Sequence, residues 1–175
     1  LNYHKPNSII IDLLLKQEQI IYLGLGSNLG DRLGQLESAV AMIAKLAQTR
    51  LIAKSSWLEN PAVGEAVPHD FLNGVIKISS KLEPLELLNA LREIEMLIDP
   101  ERSSRGRKLA RKIDIDILLY GDLVLETKEL VIPHPRMHER EFVMKPLLEI
   151  EPSLRSASGE VVILSEAKDP TTATQ

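Results

Sequence analysis

The chain has 175 residues, enough for one domain with a sizeable core, and its 44% hydrophobic and 26% charged residues are the balance of an ordinary globular protein. A net charge of −4 argues against binding nucleic acid through a broadly basic surface, and the lack of cysteine excludes disulfides and thiolate metal sites. No run approaches the roughly 20 apolar residues of a membrane span, and the expected location is the cytoplasm.

Residues 1–19 read as an N-terminal extension. "SIIIDLLL" (8–15) is too short for a membrane span and carries Asp12, and a start at Leu1 fits a fragment boundary or upstream translated sequence. "QIIYLGLGSN" (19–28) then reads as a strand that breaks at glycines. After it, Leu33, Leu36, Val40, Ile43 and Leu46 recur at helical spacing. "LIAKSSWLE" (51–59) predicts a strand, "NPAVGEAVPHD" (60–70) a Pro/Gly-punctuated loop, and "FLNGVIKISSKL" (71–82) a further strand. A second helix over 83–98 carries Pro84 in its first turn, where proline is tolerated. A basic loop (99–111), a strand (112–120), a short strand (123–125) and a helix near 140–149 complete the order. The polar tail, 155–175, is expected to be partly mobile. The domain is therefore placed at 20–154, and its β-α-β-β-α-β order predicts an α+β fold, a ferredoxin-like αβα sandwich with a mainly antiparallel sheet.

The most informative stretch is "RKIDIDILLYG" (111–121). Ile113, Ile115 and Ile117 alternate as a buried face, which puts Asp114 and Asp116 together on the other, roughly 7 Å apart along the strand. Two carboxylates at that spacing suit two cations held as in phosphoryl-transfer sites. Magnesium is the ion such oxygen ligands favour. The same pair also fits solvated acids that blunt a sheet edge. Upstream, Arg102, Arg105, Arg107, Lys108, Arg111 and Lys112 supply the positive charge a phosphate ligand needs, though a solvated basic loop would look alike.

"GLGSNLG" (24–30) lacks the dinucleotide-binding spacing and reads as a strand-to-helix turn needing small residues, though Ser27 and Asn28 could still hydrogen-bond a ligand at the strand's end. The chain has only two phenylalanines, Phe71 and Phe142, which could sandwich a flat heterocycle or simply fill the core. Asn73 shares the Phe71 face and offers donor and acceptor together, as an aminopyrimidinone edge requires. His134 and His138 are no helical metal pair because Pro133 and Pro135 flank the first. His134 and Arg140 are candidate nucleotide contacts, and His138 is a surface residue.

In order, "YLGLGSNLGDR", "NPAVG" with "DFLNGVIKI", "LLNALREIE", "ARKIDIDILLYG" and "IPHPRMHEREFVMKPLLEIEP" resemble the 6-hydroxymethyl-7,8-dihydropterin pyrophosphokinase family over about residues 20–152. The resemblance implies a monomer that moves the diphosphate of ATP onto the pterin hydroxymethyl group with two Mg2+ ions. It implies Asp114 and Asp116 as metal ligands, and Arg102, Arg105, Arg107, Arg111 and Asp116 as catalytic residues. Gly26, Asn60, Pro61, Ala62, Phe71, Asn73 and Phe142 would take the pterin. Glu95, Arg111, Ile117, His134 and Arg140 would take ATP. Two departures stand out: "RKLAR" (107–111) replaces the family's Arg-Trp-Gly-Pro-Arg, with Lys108 at the Trp position, and Pro135 stands where an aromatic is frequent. Other readings of the same residues are a different magnesium-dependent phosphotransferase, or a module binding single-stranded RNA, which would need a basic, aromatic-rich sheet face.

Overall fold

The computed structural model describes residues 17–61, 70–102 and 110–154. The expected extension and tail, apart from residues 17–19, lie outside them, as do Ala62, Arg105, Arg107 and Lys108. The element order is β1 (Gln19–Ser27), α1 (Arg32–Ile43), β2 (Thr49–Lys54), β3 (Leu58–Asn60), β4 (Phe71–Ser80), α2 (Pro84–Ile98), β5 (Asp114–Tyr120), β6 (Leu125–Glu126), β7 (Val131–Ile132) and α3 (Glu141–Ile150). The main sheet runs β2-β4-β1-β5 with antiparallel neighbours throughout, and β3 pairs the far end of β4. This is the ferredoxin-like order, with β6 and β7 as a separate hairpin.

Alternation along the strands builds two apolar layers. Ile21, Leu23, Leu25, Ile76, Ile78, Ile113, Ile115 and Ile117 pack with Leu36, Ala39, Val40 and Ile43 of α1 and Leu87, Leu91 and Ile94 of α2. The opposite face carries Tyr22, Val75, Leu118 and Leu119, covered by Val143, Met144 and Leu147 of α3. A bulge makes β5 serve both layers: Tyr22 pairs Leu119 and Leu23 pairs Ile117, so Leu118 is an extra residue. Asp114 and Asp116 therefore lie on the α3 side at one end, while Leu118 and Leu119 both turn to that side at the other.

Local chemistry sets the boundaries. Asp31 starts α1 by accepting from the Gly34 N–H at 3.0 Å. In α2, Pro84 opens the first turn and Glu86 accepts from the Glu83 N–H at 3.1 Å. The strand expected over 51–59 divides in two, because Ser55 Oγ accepts from the Val75 N–H at 2.9 Å and Trp57 turns inward. A Cβ on Gly74 would lie 2.4 Å from the Trp57 ring, so only glycine admits this indole. Strand β5 starts two residues later than expected because the Arg111 and Lys112 N–H groups bond Asn28 and Asp99 instead of a neighbouring strand. The strand expected at 123–125 is β6, shifted to Leu125–Glu126 by a turn in which Thr127 N–H donates to the Leu130 carbonyl at 3.0 Å. Leu33 is a correction to the helical stripe: it sits in the first turn of α1 and is 52% exposed.

Candidate active site

The site lies on the α3 side of the sheet, where β1 ends and β4 and β5 begin. Gly26 pairs Asn73 on one side and Asp114 on the other, so one row across three strands carries an amide, a bare backbone and a carboxylate. A Cβ on Gly26 would stand 2.8 Å from Asn73 Oδ1 and 3.9 Å from the Phe71 ring, so a side chain here would collide with the amide. Asn73 is 6% exposed, and its Nδ2 has no hydrogen-bond partner among the described residues. A buried amide donor left unpaired is costly, and a planar polar ligand lying over Gly26 would satisfy it. Phe71, half-buried, is two residues away on that face and pairs Asn60 across the edge.

The other wall is charged. Asp114 Oδ1 accepts from Arg102 Nη2 at 2.8 Å and Arg111 Nη1 at 2.7 Å. Arg102 also donates to the Ile113 carbonyl at 2.6 Å and to Glu95 Oε1 at 2.9 Å, and Glu95 Oε1 accepts from the Ile115 N–H at 2.8 Å. Glu95 and Arg102 thus occupy the outer edge of β5, which has no further strand beside it among the described residues. Burial raises the Glu95 carboxyl to about 7, against the opposing pull of Arg102 and the Ile115 N–H.

Asp116 faces the groove. His134 Nε2 and Arg140 Nη1 each stand 3.8 Å from its Oδ2, attracted but outside hydrogen-bond reach. Desolvation first, and the Asp114 charge second, raise its carboxyl above the ordinary range, while His134, Arg140 and Arg111 oppose the rise. His134 Nδ1 accepts from the Arg136 N–H at 3.2 Å, which leaves the neutral ring's proton on Nε2, toward Asp116. Desolvation holds His134 below its usual value. Arg140 is the residue before α3, and its guanidinium sits 5.8 Å from the centre of the Phe142 ring. Glu95, Arg102, Asp114, Asp116, Ile117 and His134 all line one groove of about 340 Å3, closed on its far side by the β6–β7 hairpin.

The donor set fits a hard divalent ion. Among the described residues no group of three or more His, Cys, Asp or Glu forms a metal cluster, and the aspartate pair is what the groove offers an ion. Magnesium is commonly held in that way, with phosphate and water completing its shell. The crowding that raises Asp116 is what a cation between the two carboxylates would relieve.

The structure brings Gly26, Asn73, Phe71, Asn60, Asp114, Asp116, Arg102, Arg111, Glu95, Ile117, His134, Arg140 and Phe142 to the site end of the sheet, its groove or the adjoining start of α3. Pro61 follows β3 and is exposed, and His138 is exposed as expected. Ser27 and Asn28 are corrections: Ser27 Oγ donates to Gln35 at 3.0 Å, and Asn28 Oδ1 accepts from the Arg111 N–H at 2.7 Å, so both serve the protein itself. Sequence reasoning missed Asp99, fully buried, whose Oδ2 accepts from the Lys112 N–H at 3.1 Å. Its only signal is an acid directly after an apolar helix end.

An antiparallel α+β sheet that sets paired carboxylates beside Arg102, Arg111 and Arg140 is the arrangement of a phosphate-transferring enzyme. The chain belongs to the 7,8-dihydro-6-hydroxymethylpterin-pyrophosphokinase (HPPK) family, which it matches over residues 22–152. It is 38% identical over 141 residues to the 2-amino-4-hydroxy-6-hydroxymethyldihydropteridine pyrophosphokinase of Haemophilus influenzae, covering 81% of this chain and 87% of the relative. The enzyme of that name in Aquifex aeolicus is 41% identical over 134 residues, covering 77% and 81%. The crystallised HPPK-DHPS of Plasmodium falciparum shares the fold, with a TM-score of 0.52 and 16% identity over 78% of this chain and 39% of that one.

Proposed function

We propose that the chain transfers the diphosphate of ATP to 6-hydroxymethyl-7,8-dihydropterin, giving AMP and the pterin diphosphate for folate biosynthesis. Family membership supports the reaction, and one observation supports the placement: the row Asn73–Gly26–Asp114 sets a buried amide Nδ2, unpaired among the described residues, beside the carboxylate pair. In this reading the pterin lies over Gly26 with its polar edge on Asn73 and its ring between Phe71 and Phe142. Asn60, Pro61 and Ala62 border it. ATP occupies the groove, with Glu95, Ile117, His134 and Arg140 along its length and Arg102, Arg105, Arg107 and Arg111 around its phosphates.

Asp114 and Asp116 would hold two Mg2+ ions, which when bound offset phosphate charge and make the acceptor hydroxyl easier to deprotonate. Arg111 and Arg140 are fixed cations on either side of the carboxylates, so the electrostatic setting exists before substrate arrives. Most of the acceleration comes from holding the hydroxyl against the β-phosphorus and from stabilising the charge that develops there. Asp116, which faces the groove, is the candidate acceptor of the hydroxyl proton. The chain works as a monomer in the cytoplasm, and 20–154 is the catalytic unit.

The test is one incubation with ATP, Mg2+ and the hydroxymethyl pterin. The expected nucleotide product is AMP, lost on chelation of the metal. Formation of ADP, or turnover of other acceptors alone, would overturn the reading.

A further inference from the structure

Between β1 and α1 the chain makes a short turn whose side chains reach both neighbours of the site. Asn28, fully buried, donates its N–H to the Arg111 carbonyl at 3.0 Å and accepts from the Arg111 N–H through Oδ1 at 2.7 Å. Both peptide groups of Arg111 are thereby tied to the end of β1, and its guanidinium is set on Asp114. Four residues on, Arg32 grips Glu59 with both terminal nitrogens at 2.9 Å and donates to the Asp70 carbonyl at 2.8 Å. Glu59 precedes Asn60 and Asp70 precedes Phe71, and these two residues pair across β3 and β4. The turn between Asn28 and Arg32 is itself fixed. Ser27 bonds Gln35, Gly30 takes a φ of +69°, and Asp31 caps the helix that Arg32 begins.

We infer that this turn positions both halves of the site: Asn28 sets Arg111 for the phosphates, and Arg32 sets the Asn60–Phe71 strand ends for the ring. Neither residue touches a reacting group, so both are positioning residues. The inference rests on the proposed reaction for its kinetic consequences, but the clamps can be read without it. A bidentate guanidinium on a carboxylate fixes direction as well as distance, which a lysine could not. Asn28, whose side-chain oxygen takes the Arg111 N–H while its backbone N–H takes the Arg111 carbonyl, likewise fixes the orientation of that residue's backbone. Misplacement of a charged group by about 1 Å is enough to cost about 100-fold in rate.

The experiment compares Asn28→Ala, Asn28→Asp and Arg32→Ala in the full chain, by amide hydrogen exchange and by steady-state kinetics with ATP, Mg2+ and the pterin. For Asn28→Ala the Arg111 amide is expected to lose protection while those of β1 and β4 keep theirs. Its kcat should fall about 100-fold with the pterin KM within about twofold. Asn28→Asp, which retains the acceptor, should recover the protection. Arg32→Ala should raise the pterin KM several-fold and leave kcat nearly unchanged, and the charge exchange Arg32→Glu with Glu59→Arg should recover part of the loss. If Asn28→Ala fails to fold, Asn28→Ser replaces it with the same expectations. Unchanged exchange at Arg111, or kcat and KM moving together in both variants, overturns the inference. A wild-type chain that makes no AMP overturns the proposed reaction instead, while the exchange result still decides the clamp.

Discussion

One face of the sheet behaves in two ways along the same strands. At one end Tyr22, Val75, Leu118 and Leu119 lie under α3 and close a dry layer. At the other, Gly26, Asn73, Asp114 and Asp116 leave a small, polar, partly unpaired surface. The first end gains from every buried atom. The second carries two neighbouring like charges and an amide Nδ2 with no partner among the described residues, arrangements that cost stability and are kept where a ligand repays them. Changes at the two ends should therefore separate activity from stability.

The largest effect is expected at Asp116. Asp116→Ala should lower AMP formation by about 10³-fold or more, with a melting temperature equal to or above that of the parent because the Asp114–Asp116 repulsion is gone. Full turnover in this variant would remove the carboxylate pair from the mechanism. At the other end, Leu147 is fully buried in the α3 layer. Leu147→Ala should cost about 2–5 kcal/mol in denaturant unfolding, yet the folded fraction should keep its kcat.

Gly26→Ala should be smaller. The added methyl meets Asn73 Oδ1, so the pterin KM should rise about tenfold, with an ATP KM near that of the parent. An equal rise in both constants would mean that Gly26 serves the whole site and not the ring.

The smallest contrast is in pH dependence, and the two ends of the molecule differ in sign. Glu151, held by Lys77, Ser153 and Tyr22, is lowered to about 2. Its contribution is complete above the ordinary carboxylate value and fades as pH falls toward about 2. Glu95 beside the site is raised to about 7, so its contribution is complete below the ordinary value and is lost as pH rises through about 7. Urea titrations of Glu151→Gln and Glu95→Gln should each flatten stability in one window only, acid for the first and near-neutral for the second.

Much of this was legible because it is periodic. Alternation about Ile113, Ile115 and Ile117 is enough to place Asp114 and Asp116 together, and a glycine-ended strand before a helical stripe places Gly26 at the strand's mouth. The parts that escaped have no period. An extra residue at Leu118 is a matter of register between two strands, which one strand's sequence does not record. The contacts of Asn28 and Asp99 are with backbone groups far along the chain, so any polar residue that fits would look the same beforehand. Leu33 obeys the helical spacing and is exposed all the same, since spacing gives a face and not where the covering layer ends.

The indole that divides the second strand has a practical consequence. Trp57 is the sole tryptophan of the chain, and it rests against Gly74, next to Asn73. Its Nε1–H donates to Glu37 at 2.8 Å, so the ring has a fixed orientation. The molecule thus carries one tryptophan fluorophore, packed on the residue next to Asn73 but on the opposite face of the sheet. Emission excited at the tryptophan band can follow movement of β4 at that end of the sheet in unmodified protein, with no label introduced near the chemistry.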